Sequence, residues 1–376
     1  MICNRKIVVF VKNKLITLDT VAPILIEMKD KFNISSEVVV FDGLAHKAIS
    51  ENIVLKDAIN YVGSELFITK GEKNKILRRL YVLVSLSRLF VSFLCGAKIL
   101  HFGLFSSWPF KYVAYLFKSQ VYQLQPIAFD FDYSISMSRN GKPFVYPVGE
   151  NVVIFGKKSG MNYYRSVLDK REIFYFGETR TRIHWVEYIR NRSNYYFELC
   201  HKDIDFSNGV IVFILATISS LEFKHKLFDS TIKVLIEKFG DIPILLKPHA
   251  YTEMDVVNNA ILGHKNMQIT YLHPSVLSTV ARVFISNNFS NTMADAHSFG
   301  VTTIEYSNNS ANNVLDQSSI SLNESVEPKY VSHFIDNNEE MFSNTLENIL
   351  TDTYSPSIFN GNIGTDDELL SSLASK

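Results

Sequence analysis

Short apolar runs alternate with longer stretches of helical period along residues 210 to 306, and each run ends in small polar residues. Val210 to Leu215 is a continuous apolar run. The loop Ala216-Thr217-Ile218-Ser219-Ser220 follows it, and then a helical pattern from Leu221 to Phe239. This succession predicts strand, loop and helix. Pro243 to Leu246 predicts a second buried strand that leads directly into Lys247-Pro248-His249. Val283-Phe284-Ile285 predicts a third, giving way to Ser286-Asn287-Asn288-Phe289-Ser290-Asn291-Thr292 and a helix from Met293 to Ser298. Gly300 ends that helix, and Val301 to Tyr306 supplies the next strand.

The first half of the chain alternates in the same way. Lys6 to Val11 is an unbroken apolar strand of the kind buried on both faces of a parallel sheet. A helix over Thr20 to Phe32 and a strand over Glu37 to Gly43 follow. Further on come strands at 98–103, 120–124, 151–156 and 173–178, with helices at 110–117 and 181–191. Strand and helix in alternation predict α/β architecture with parallel sheets. The turn-rich Asp203 to Gly209 is the expected linker. The domains are therefore drawn as 1–204, 205–350 and a 351–376 tail ending in a short helix over Asp366 to Ser375.

One segment breaks the pattern. Between Lys70 and Lys98, six cations, Lys70, Lys73, Lys75, Arg78, Arg79 and Arg88, punctuate two apolar runs. Arg88 stands near the middle of that stretch, which excludes a membrane span. Two readings remain open: a basic helix lying on an anionic membrane surface, or a core-packed helix with a solvated basic end.

Composition narrows the functional classes. The chain has 376 residues, enough for two cores, and its 47% hydrophobic and 20% charged content excludes a disordered chain. Thirty-eight basic residues balance 38 acidic ones, so no overall field favours nucleic acid. Three widely separated cysteines form no ligand or disulfide pattern. Met1 to Phe10 lacks the apolar core of a signal peptide. The expected location is therefore the cytoplasm, with the basic segment allowing peripheral contact with the plasma membrane. Lys12-Asn13-Lys14 follows the first strand where a dinucleotide fingerprint would place glycines, so an NAD-type site is unsupported.

The candidate chemistry sits at the strand ends of the second half. Ligands of open α/β sheets bind at the carboxyl ends of the strands. Lys247 and His249 bring a cation and an imidazole there, and Ser286, Ser290, Asn291 and Thr292 bring hydroxyls, an amide and the N–H groups of a helix start. Thr217, Ser219 and Ser220 add hydroxyls after the first of these strands. The set suits a diphosphate or phosphodiester, which backbone donors at a helix start attract.

At these residues the sequence resembles a family group. Lys247-Pro248-His249 is similar to the (Arg/Lys)-Pro-His-Pro motif of bacterial surface-polysaccharide and teichoic-acid transferases of GT-B fold, such as the CDP-glycerol glycerophosphotransferases. Asn288 to Asp295 is similar to their Asp-Tyr-Ser-Ser-x-x-x-Asp motif, with Ala250, Asn288 and Asn291 standing where the family has Pro, Asp and Ser. CMP-sugar-dependent sialyl- and Kdo-transferases carry a related pairing. The resemblance covers roughly residues 205 to 310. It implies two Rossmann-like domains facing a central cleft, with a CMP- or CDP-linked donor on the second. His249, Ser290 and Thr292 would hold the donor's phosphates. The expected activity is transfer of a sugar or polyol-phosphate onto a surface-polysaccharide, lipopolysaccharide or lipid-linked glycan acceptor. No metal or other cofactor is implied. Asp130-Phe131-Asp132 resembles the metal signature of GT-A enzymes but lacks their context. An inverting transfer needs a base for the acceptor hydroxyl, and Glu178, Asp130 and His101 are the candidates. A UDP-sugar 2-epimerase is the alternative of the same fold, although Ser290-Asn291-Thr292 stands where such enzymes carry Ser-Gly-Gly. A third reading is a non-catalytic GT-B scaffold in a polysaccharide assembly complex.

Overall fold

The computed structural model describes residues 5–11, 15–68, 75–102, 110–124, 148–155, 171–215, 222–249, 252–309, 324–325, 327–351, 354 and 368–375. The chain divides into two compact units, Met1–Trp185 with Ile363–Lys376, and Val186–Asn362. The division falls within the helix Ile183–Arg190, ahead of the turn at 203–209 where the sequence puts the linker.

Among the described residues of the first unit, seven parallel strands form one sheet. They are β1 (Lys6–Val11), β2 (Ser35–Val40), β3 (Gly63–Phe67), β4 (Lys98–His101), β5 (Val121–Leu124), β6 (Asn151–Ile154) and β7 (Glu172–Tyr175), in the order β3-β2-β1-β4-β5-β6-β7. The inner strands are rich in apolar residues, and β1, β4, β5 and β6 have no exposed residue. Helix α1 (Leu15–Phe32) covers part of the sheet, with Leu18, Val21, Ile24, Leu25 and Met28 buried. It begins ahead of the expected Thr20 and carries Pro23 inside, so packing of this apolar face outweighs the helix-breaking cost of proline. Helices α2 (Gly43–Glu51) and α3 (Ile53–Val62) follow β2, capped by Asp42 and Asn52, whose side chains accept from the N–H groups of Leu44 and Leu55.

Two buried glutamates, each paired with two cations, fasten this unit. Arg182 grips both oxygens of Glu27 of α1 through one edge of its guanidinium, Nε and Nη2, at 2.5 and 2.7 Å, while lying over the Phe176 ring. Both residues are buried, and Lys31 reaches the same carboxylate at 2.8 Å. Burial alone would raise the Glu27 pKa, but hydrogen bonds and charge from Arg182 and Lys31 outweigh it and hold the carboxyl below the usual glutamate range. Glu37 of β2 is paired with Lys6 at 2.8 Å and Arg88 at 2.6 Å.

The basic segment forms α4 (Lys75–Leu94). Ser85, Leu89 and Phe93 are buried against the sheet, but Lys75 to Leu80 is exposed throughout. Only the second half of the helix is thus core-packed. No described helix is long and apolar enough to cross a membrane. α5 (Phe110–Leu116) follows β4. The last helix, Glu368–Ala374, belongs to this unit: Leu369, Leu370 and Leu373 are buried, the Tyr122 and Ser372 hydroxyls lie 2.6 Å apart, and Arg5 donates to the Ala374 carbonyl at 2.5 Å.

The second unit holds six parallel strands among its described residues: β8 (Val210–Ile214), β9 (Ile244–Lys247), β10 (Met267–Ile269), β11 (Ala281–Ser286), β12 (Thr302–Ser307) and β13 (His333–Asp336). Their order, β10-β9-β8-β11-β12-β13, is the doubly wound nucleotide-binding order. Helix Glu222–Lys238 packs Leu227, Phe228 and Leu235 on this sheet, where Phe213, Leu246, Ile285 and Phe342 complete the core.

Candidate functional site

Strand order reverses between β8 and β11, and a doubly wound sheet offers its ligand crevice at the carboxyl ends of such strands. Register aligns the residues there. Lys247 pairs with Ile214, Ile214 with Ser286, and Ser286 with Glu305, so one row crosses four strands. At about 4.8 Å per strand, Lys247 and Ser286 are roughly 10 Å apart. The chain between them, leaving β8, carries Thr217, Ser219 and Ser220, which lie outside the described residues.

The tripeptide Ser-Asn-Asn ends β11 at 286–288 and recurs at 307–309, where Ser307 ends β12. The two copies are tied together. Asn287 donates to the Tyr306 carbonyl at 3.2 Å and to the Thr231 hydroxyl at 2.9 Å. The Ser307 hydroxyl reaches Asn288 Oδ1 at 2.9 Å and Asn309 Oδ1 at 3.0 Å, and the Asn309 N–H donates to Asp336 at 2.8 Å. Asn288 has a left-handed backbone, φ +78°, which Asn tolerates better than other non-glycine residues. Ser286, fully buried, donates to the Asn288 carbonyl at 2.7 Å and so shapes the loop from below. The repeated tripeptide is the sequence signal for this buried polar layer.

Above it, the Ser290 and Thr292 hydroxyls are 2.9 Å apart and both are partly exposed, while Asn291 is exposed at the start of the helix Thr292–Ser298. His249 is exposed in a turn closed by its own N–H donating to the Thr252 hydroxyl at 2.8 Å. The Lys247 ammonium lies 5.9 Å from the Tyr271 ring centroid. His273 is buried and caps the turn Pro274–Leu277, its Nδ1 accepting from the Ser275 N–H at 3.1 Å. Asp295, the last residue of the motif-like stretch, is buried and accepts from the Ser275 hydroxyl at 2.6 Å, a structural tie.

Glu305 is the unexpected titratable group. It is 2% exposed, accepts from the Ser325 hydroxyl at 2.5 Å, and takes a hydrogen bond from the Phe289 N–H. Burial pushes its pKa up to about 7, against the lowering effect of those two donors. A carboxyl raised on folding contributes stability that is complete below its unfolded pKa and is lost as pH rises through its folded one. Glu305→Gln is therefore expected to flatten the loss of stability between about pH 4.3 and about 7. Urea melts at several pH values check this, and identical slopes for the two proteins in that window would refute it.

The acceptor-side candidates fare differently. His101 is fully buried at the end of β4, and burial pushes its pKa down to about 3, partly offset by a hydrogen bond with the Val148 backbone. That gives it the character of a packed neutral imidazole, a weak base. Glu178 is partly exposed after Gly177, whose φ is +71°, and leads into the turn Thr179–Thr181, whose Thr181 hydroxyl donates to its carbonyl at 2.8 Å. It follows edge strand β7, three strand spacings or about 14 Å from β4. Asp130 lies outside the described residues.

No family model matches the chain, and no curated protein matches it. Solved structures do. The UDP-GlcNAc 2-epimerase of Methanocaldococcus jannaschii superposes with a TM-score of 0.57 at 12% identity, over 98% of this chain and 99% of that one. A putative UDP-N-acetylglucosamine 2-epimerase from Listeria monocytogenes gives 0.52 at 10% identity, over 98% and 95%. The S. aureus MnaA–UDP co-structure gives 0.52 at 11% identity, over 97% and 95%. The nucleotide named there is UDP, so these likenesses lend no support to the CMP or CDP preference drawn from the sequence. They concern fold, and with the two doubly wound sheets they establish it: the chain is α/β with two Rossmann-like domains, the GT-B fold.

Proposed function

We propose that this chain is a nucleotide-sugar enzyme, and that it transfers a sugar or polyol-phosphate unit from a pyrimidine-nucleotide donor onto a bacterial surface-glycan acceptor. The observation that carries this reading is the row Lys247, Ile214, Ser286, Glu305 at the carboxyl ends of a nucleotide-type sheet, with the Ser290–Thr292 loop built on the polar layer beside it. In this reading Lys247, His249, Ser290 and Thr292 meet the donor's phosphates, with Asn291, Thr217, Ser219 and Ser220 supplying further polar contacts. Ser286 holds the loop in shape. Stabilising the charge that develops on the leaving phosphate is the largest catalytic contribution such a site can make. Glu178 and Asp130 stand as the proposed acceptor bases, because His101 is too weakly basic. A lipid-linked acceptor would bring the enzyme to a membrane surface.

A second reading is favoured by the 0.57 superposition: a UDP-sugar 2-epimerase. The two differ in what they need. An epimerase converts its UDP-sugar with no acceptor present, whereas a transferase leaves it intact or slowly hydrolyses it. A thermal-shift series with CMP, CDP, UDP, GDP and NAD tests the shared premise, since a ligand that binds only the folded state raises its apparent stability. Pyrimidine nucleotides are expected to raise the transition more than GDP or NAD. Equal shifts with all five would remove the nucleotide site. UDP acting alone, with conversion of a UDP-sugar in the absence of acceptor, would replace the first reading with the second.

A further inference from the structure

The first unit leaves a long apolar helix face uncovered. In α4, Ile76, Leu77, Leu80, Leu83, Val84, Phe90, Val91 and Leu94 are all exposed, Leu83 and Val84 to 61% and 67%. At about 100° per residue these positions fall in an arc of roughly 140°, on the side away from the buried Ser85, Leu89 and Phe93. Ser87 is the one polar residue in that arc, and no charge lies within it. The patch continues onto α5, where Tyr112, Tyr115 and Leu116 are exposed, and the Phe90 ring meets Phe117 edge-on at 5.6 Å just beyond that helix. Contiguous apolar surface of this extent marks an interaction site.

Charge identifies the occupant. α4 contains Lys75, Arg78, Arg79 and Arg88 and no carboxylate, and Arg88 is already paired with Glu37. The other three stand in the exposed first turn and a half of the helix, Arg79 at the edge of the apolar arc, about 20° beyond Phe90, and Lys75 and Arg78 on the helix's other side. Two-fold docking of a second copy places the same patch on both sides, and α4 offers these cations no carboxylate from its own face. An anionic lipid surface answers both features: it takes the apolar arc into its outer layer and the flanking Arg79 at its headgroups, with tyrosines at the polar boundary. We propose that α4 and α5 form a docking surface for an anionic bilayer, with the α4 arc lying in the plane of the interface. This holds or fails independently of the nucleotide reading.

The test is co-sedimentation of the full chain with phosphatidylcholine vesicles, with and without phosphatidylglycerol, at low and high salt. Binding is expected only with the anionic lipid and weakens as salt screens the cations. Arg79→Gln is expected to weaken it roughly 5-fold, from the usual contribution of one surface cation of about 1 kcal/mol, and Arg78→Gln, on the far side of the helix, is expected to weaken it less. Leu80→Glu with Leu83→Glu is expected to abolish it while leaving the thermal transition unchanged, because both side chains are exposed. Light scattering and melting of the same variants complete the set. The proposal is overturned if the wild-type chain ignores anionic vesicles, or if the glutamate variant still binds. A dimer that the glutamate variant splits would assign the face to a second copy. A lowered melting temperature of that variant would assign it to the chain's own core.

Discussion

Replacing Arg182 with methionine is expected to destabilise the first unit by about 3 kcal/mol, the lower end of what removing one partner from a buried ion pair costs. The lower end applies because Lys31 still reaches Glu27 at 2.8 Å. For a unit of about 200 residues this corresponds to a fall of roughly 6 to 12 °C in the melting temperature. The loss comes chiefly from Glu27, left buried with half its compensation gone. Glu27→Leu combined with Arg182→Met is expected to recover much of it, since a well-packed apolar pair often equals a buried ionic one. The pH dependence has a definite sign. Glu27 is depressed on folding, so its contribution is present above the unfolded glutamate pKa, about 4.3, and is lost as pH falls through the folded value. The wild-type chain should therefore lose stability in acid more steeply than the double variant. Melts that descend in parallel would show that Arg182 contributes packing over Phe176 and little else.

His249→Ala is expected to reduce kcat/KM by about 30-fold to 1,000-fold, on the order of 2 to 4 kcal/mol of transition-state stabilisation, by comparison with lost oxyanion donors. The melting temperature should stay in place: His249 is exposed, and the hydrogen bond that closes its turn comes from the backbone N–H, which alanine keeps. His273 supplies the contrast. It is also followed by proline, but its Nδ1 caps a buried turn, so His273→Ala is expected to cost about 1 kcal/mol of stability and to leave turnover within a few-fold. An exchange of these effects would move the donor site away from the Lys247 and His249 strand end.

The interior of both sheets is legible in the sequence where a strand buried on both faces is apolar throughout. β1 and β8 stand out for that reason. The edge strands β3 and β13 carry no such mark. β3 reads Gly-Ser-Glu-Leu-Phe with its first two residues exposed, and β13 reads His-Phe-Ile-Asp with one buried residue, so neither is distinguishable from loop. The candidate site was legible as a set of residue types at strand ends but not as an arrangement. Only register shows that Lys247, Ser286 and Glu305 share a row. Glu305 was the hardest to see, since a carboxylate within a strand is ordinarily a solvent-facing residue, and its burial depends on Ser325 and the Phe289 N–H, distant in sequence.

The return of the final helix to the first unit has a consequence for how the protein can be taken apart. Residues 186–362 are inserted, as one uninterrupted piece, into a unit whose own chain is interrupted. The second unit is therefore continuous in sequence, although its start cuts the helix Ile183–Arg190. The first, made alone as residues 1–185, would lack the Tyr122–Ser372 and Arg5–Ala374 contacts and leave bare the surface that Leu369, Leu370 and Leu373 cover. Supplying residues 363–376 in trans is what such a half would need to fold.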